Sequence, residues 1–130
     1  MLLNSETDYA IRIVSCLAKK KEQTSASVIS KETGVTVKFA LKILHTLSVN
    51  GIVKSFKGKN GGYILNKKAE EITLLQIIEL FGGTMFINKC EHSECCTMPG
   101  GICEFKEVFS EATEFLNQHF GKVVFKGWIQ

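Results

Sequence analysis

Proline occurs once in the 130 residues, arginine once, and no acidic residue stands between Glu32 and Glu70. A single proline and no low-complexity tract leave nothing that reads as a disordered linker. No apolar run approaches the ~20 residues that span a bilayer, and the first residues, with Asn4, Glu6 and Asp8, lack the basic-then-apolar order of a signal peptide. A soluble, cytoplasmic protein with no membrane partner is therefore expected. The cysteines contain no CxxC pair, so neither a zinc knuckle nor a thioredoxin-like redox motif is present. Five cysteines, an odd number, argue against a disulfide framework and for metal binding or reactive thiols.

With 45% hydrophobic and 22% charged residues, the chain has enough apolar material for one compact core and too little length for two full domains. The net charge of +3 conceals a strong asymmetry. The acid-free interval holds Lys38, Lys42, Lys54, Lys57, Lys59, Lys67 and Lys68, whereas residues 70 to 130 carry nine acids against four lysines. A basic middle suited to a polyanion thus adjoins an acidic C-terminal half.

Helical spacing of Tyr9, Ile13, Cys16 and Leu17, with Ala10 and Val14 beside them, predicts an amphipathic helix from Asp8 that ends in the run Lys19 to Lys21. Cys16 is read as a core residue. Thr24 or Ser25 caps a short second helix through Val28 and Ile29, which Gly34 terminates. Thr36 opens a longer helix whose apolar stripe is Phe39, Ile43 and Leu47 with Ala40 and Leu44, closed by Asn50 and Gly51. A short helix, a tight turn and a longer helix form the helix-turn-helix pattern. The period then changes to the β-branched and aromatic runs Ile52 to Phe56 and Tyr63 to Leu65, joined by a glycine- and lysine-bearing tip, as in the wing of a winged helix. Thr73 and Gln76 have capping-box spacing before a fourth helix ended by Gly82 and Gly83. After the cysteine segment, Phe105, Val108, Phe109, Ala112, Phe115 and Leu116 recur at three- and four-residue intervals, giving a last helix of roughly 17 residues, about 26 Å long. The predicted fold class is mainly α with a small β-hairpin.

In such a fold the second helix of the motif enters the major groove of double-stranded DNA, and the wing reaches phosphates or the minor groove. The residues off its apolar stripe are Thr36, Val37, Lys38, Leu41, Lys42 and His45; the wing tip offers Lys57, Lys59 and Asn60. Lysines would supply phosphate contacts with strong salt dependence, and the Thr36 hydroxyl and methyl could touch a base edge. Arg12 being the single arginine, bidentate reading of guanine is nearly absent, so sequence choice would rest on few contacts and on DNA shape. The bland alternatives are a solvated, aggregation-resistant hairpin edge and a surface histidine at 45.

Cys90, Cys95, Cys96 and Cys103 fall within fourteen residues that also hold Pro99, Gly100 and Gly101. Adjacent Cys95 and Cys96 point in different directions, so one of them is read as a ligand and the other not. Three well-separated thiolates in a flexible segment suit a cluster whose irons are reached from different sides. Free thiols are the alternative, and His92 beside Glu91 reads as solvated.

These residues together resemble the iron-sulfur winged-helix regulators typified by IscR, NsrR and RirA. The similarity runs from Asp8-Tyr9-Ala10-Ile11-Arg12, through Gly58 and Gly61-Gly62-Tyr63, to the three-cysteine segment before a long helix, and is closest in pattern to the NsrR type. The resemblance implies a homodimer in which the helix from Cys103 to Phe120 packs on its partner. It also implies an iron-sulfur cluster, four-iron in the first place with a two-iron cluster as the alternative, held by Cys90, Cys96 and Cys103. The spacing at the second ligand departs by one residue from the commonest pattern, which keeps Cys95 as an alternative to Cys96. Where some members place a histidine ligand, this chain has Lys106. Nitric-oxide-sensing members use an aspartate near the start of the first helix, contributed by the other subunit; Asp8 stands there, with a helix N-terminal acid as its alternative role. Leu41 occupies a position where members can carry glutamate.

The expected organisation is a winged helix-turn-helix domain over 1–82, a cluster-binding segment over 83–103, and a dimerisation helix with tail over 104–130. The expected function is a DNA-binding transcriptional regulator, a repressor, whose operator binding follows a cluster that senses nitric oxide, redox state or iron supply. The rivals are a cluster-free or zinc-binding, thiol-sensing regulator and, remotely, a thiol oxidoreductase using Cys95 or Cys96.

Overall fold

A computed structural model describes residues 3–83 and 104–125. Helix α1 (Ser5–Lys20) starts a turn before the expected Asp8, because the Asn4 side chain accepts a hydrogen bond from the Thr7 amide and caps it. Lys21 ends it in the left-handed region at φ 56°. Helix α2 (Ala26–Thr33) is capped by Ser25 and stopped by Gly34 at φ 76°, a conformation that glycine adopts without strain. Helix α3 (Val37–Val49) is capped by Thr36, whose hydroxyl accepts from the Phe39 amide.

Strands β1 (Val53–Phe56) and β2 (Gly62–Leu65) pair antiparallel, with Val53 opposite Leu65 and Phe56 opposite Gly62. A bridge between Thr24 and Tyr63, with backbone N···O distances of 2.9 and 2.8 Å, ties this hairpin to the residues entering α2. A 3-10 turn (Ala69–Glu71) leads to α4 (Leu74–Gly82), whose Thr73 cap accepts from the Gln76 amide at 3.1 Å. Helix α5 (Lys106–Lys122) has the length expected of it, and the segment after it returns to α4 through a 2.8 Å bond from the Leu74 amide to the Val123 carbonyl.

The core gathers Ala10, Ile13, Val14 and Leu17 of α1, Ile29 of α2, Ala40, Ile43, Leu44 and Leu47 of α3, Ile52 and Val53 at the wing, and Ile72 and Ile77. Cys16 is buried with them, as expected. Phe39 is not. It is 45% exposed, because the buried arc of α3 centres on Ala40, Ile43, Leu44 and Leu47 and leaves Phe39 at its edge, against Tyr9 of α1. In α5 only Thr113 is buried, while Val108 and Phe115, and Phe105 just before the helix, are exposed. Among the described residues, no helix is long and apolar enough to cross a membrane.

Candidate nucleic-acid interface

The caps at Ser25 and Thr36, with Gly34 between them, turn α2 into α3 within a few residues, so α3 shows one face to the core and the other to solvent. Thr36, Val37, Lys38, Leu41, Lys42 and His45 are all exposed, and they occupy the N-terminal two-thirds of the helix. At the wing tip Lys57, Lys59 and Asn60 are exposed as well. The tip is anchored: the Gln23 side chain donates to the Asn60 carbonyl, and the Thr24–Tyr63 bridge fixes β2 beside the start of α2. A basic hairpin and the exposed face of α3 therefore belong to one framework.

Long-range contacts behind this face were not legible locally. Lys42 Nζ lies 2.7 Å from Glu6 Oε1, so the lysine at the centre of α3 already has an anionic partner on α1. One turn further along α1, the rings of Tyr9 and Phe39 lie 6.0 Å apart at 56°. Arg12 continues the row, with its guanidinium 5.7 Å from the Tyr9 ring centre and a long 3.5 Å bond to the Thr33 carbonyl at the end of α2. Glu6, Tyr9 and Arg12 thus face Lys42, Phe39 and Thr33 in a seam between α1 and the helix-turn-helix. The Thr36 hydroxyl also serves as the cap of α3, so its lone pair is engaged by the Phe39 amide.

Asp8 sits inside α1, not at its cap, and pairs with Arg12 Nη2 at 3.0 Å. The residues around it adjoin the end of α4: Asn4 Nδ2 donates to the Phe81 carbonyl at 3.1 Å. Helix α4 ends there, at Gly83. Cys90, Cys95, Cys96 and Cys103 lie outside the described residues. Among the described residues, no three histidine, cysteine or acidic side chains come together as metal ligands.

The remaining cysteine belongs to a different environment. Cys16 Sγ donates to Glu32 Oε2 at 3.5 Å, and Glu32 Oε1 in turn pairs with Lys20 Nζ at 2.7 Å. Burial first, and then the Glu32 carboxylate, raise the Cys16 thiol from 9.0 to about 11. The Lys20 contact lowers the Glu32 carboxyl below its ordinary value, and Glu32 raises Lys20 in return.

A family model described as Rrf2, iron-dependent transcriptional regulator, matches residues 3–128, almost the entire chain. The chain belongs to the Rrf2 family. A helix-turn-helix-type transcriptional regulator of Aquifex aeolicus is 32% identical over 108 residues, covering 82% of this chain and 72% of that protein. Among solved structures, the global cysteine regulator CymR of B. subtilis superposes with a TM-score of 0.82 at 20% identity, covering 97% of this chain and 94% of that one. IscR of T. potens superposes with a TM-score of 0.75 at 18% identity, covering 96% and 83%. The five helices and two-stranded hairpin are accordingly the winged helix-turn-helix of Rrf2 regulators. Membership makes this chain a DNA-binding transcriptional regulator, not an enzyme, and the thiol-oxidoreductase alternative falls away.

Proposed function

We propose that this Rrf2 regulator is a cytoplasmic, homodimeric repressor that reads its operator with α3 and the wing, under the control of an iron-sulfur cluster. The observation that carries the DNA-binding part is the shared framework of two basic elements, the exposed face of α3 and the tip at Lys57, Lys59 and Asn60. Thr36, Val37, Lys38, Leu41, Lys42 and His45 face the major groove, and the wing-tip residues take the flanking backbone. A homodimer is supported by α5, where Phe105, Val108 and Phe115 leave large apolar surface exposed along one side. The division into 1–82, 83–103 and 104–130 follows these roles.

The ligand set we assign is Cys90, Cys96 and Cys103, with Cys95 as the alternative to Cys96, and Asp8. Thiolates are the usual holders of iron-sulfur clusters, and the family's description as iron-dependent agrees with that donor set. Asp8 fits the fourth place because its carboxylate is 55% exposed and held by a single surface ion pair with Arg12, an interaction worth under about 1 kcal/mol. A cluster, four-iron or two-iron, would supply sensitivity to nitric oxide, oxidants or iron loss. The chain supplies the read-out: Asp8, Arg12, Tyr9 and Glu6 lie on the helix whose side chains touch Thr33, Phe39 and Lys42, so a change of partner at Asp8 bears directly on the reading head.

The test is anaerobic purification of the full chain with iron supplied. A brown protein with broad visible absorption, lost in Cys90→Ala and Cys103→Ala, is expected. A colourless protein that contains zinc or no metal would replace this reading with the thiol-sensing regulator of the same fold.

A further inference from the structure

The exposed face of α3 lacks most of the side chains that read bases by hydrogen bonds. Arginine and lysine read guanine, asparagine and glutamine read adenine, and acids accept from cytosine; of these residue types α3 carries lysine alone. The single arginine, Arg12, is on α1 and engaged with Asp8 and Thr33. Helix α3 contains no asparagine, glutamine or acid, and the Asn50 side chain beyond it bonds back to the Thr46 carbonyl. What the first turns present instead is apolar: Val37 is 41% exposed and Leu41 is 44% exposed, four residues apart and so on one side of the helix. Lys38 and Lys42 stand beside them. Apolar side chains ringed by lysines, on a helix in an acid-free stretch, match one edge in the major groove, the 5-methyl group of thymine between phosphates.

We infer that Val37 and Leu41 determine sequence choice by packing on thymine methyl groups, with Lys38 and Lys42 holding the flanking phosphates. This rests on the reading of α3 as the operator-reading helix and names what that helix recognises. Phe39 takes no part, because it is turned toward Tyr9.

The test begins with selection of binding sites from a random duplex pool by the full chain. The selected thymines are then replaced one at a time by deoxyuridine, which removes the methyl group and keeps every hydrogen-bonding group. Loss of one buried methyl is expected to weaken binding about fourfold at the positions facing Leu41 or Val37. Leu41→Ala or Val37→Ala should bind the thymine and uracil duplexes equally at the corresponding position; both sites are exposed and alanine favours helix, so the variants fold. Selected sites bound in a salt-dependent manner but indifferent to the exchange would overturn the inference and leave DNA binding intact. So would discrimination that survives both alanine variants. Failure to bind any duplex at low salt would overturn the DNA-reading assignment and this inference together.

Discussion

The Cys16 thiol is expected to react more slowly in the folded protein than in the unfolded one. A rise from 9.0 to about 11 lowers the thiolate fraction at pH 8 roughly a hundredfold. The more basic thiolate is intrinsically more nucleophilic, which returns about a factor of ten in disulfide exchange. About tenfold of slowing therefore remains from ionisation alone, before the shielding of a side chain that is 9% exposed. Timed exposure to a small disulfide, with peptide-resolved mass spectrometry in buffer and in urea, measures it. Glu32→Gln removes the acceptor carboxylate and should speed the native reaction severalfold, without reaching the unfolded rate because burial is the larger cause. The sign of the linked stability follows: the native state keeps the proton longer, so the thiol's contribution is intact below pH 9 and declines as pH rises through about 11, a decline absent from Cys16→Ala. Equal native and unfolded rates would refute the burial of Cys16 on α1 against Glu32.

Leu44→Ala, at a fully buried position of α3, should lower unfolding free energy by about 2–5 kcal/mol in urea titration. Gly62→Ala would bring a methyl group to 2.7 Å from the Thr24 carbonyl oxygen, so the Thr24–Tyr63 bridge must open; a loss of about 1–3 kcal/mol and faster hydrogen exchange at the Tyr63 amide are expected. Glu6→Gln removes the carboxylate that competes with DNA for Lys42 at 2.7 Å, and should tighten DNA binding at low salt. Unchanged or weaker binding would show that Lys42 is no phosphate ligand.

Local chemistry carried most of the fold in readable form. Ser25, Thr36 and Thr73 cap helices through amides three residues on, and Gly34 and Gly83 end helices at positive φ, all within a few residues of chain. The start of α1 was misplaced although Asn4, three residues before Thr7, was there to cap it. Phe39 was misassigned because spacing identifies a stripe but not its edges, and an aromatic at the edge packs on whichever helix crosses there. What no local pattern could show is the seam. Glu6 and Lys42 of the seam are 36 residues apart, Gln23 and Asn60 of the wing anchor are 37, and only the packed fold brings them together. The cysteines were legible as donors by residue type and number, while Asp8 acquired its Arg12 partner from the ordinary four-residue spacing of a helix.

Salt titration of binding to a selected duplex tests the central claim most directly, comparing the unaltered chain with a Lys38→Ala, Lys57→Ala, Lys59→Ala triple variant. If α3 and the wing together hold the DNA, the variant should bind far more weakly at low salt. Its slope of log affinity against log salt should be shallower by about 2.7 for each protomer, since three phosphate contacts are removed. Equal affinity and equal slope for the two proteins would contradict the assignment of this face as the operator-reading surface.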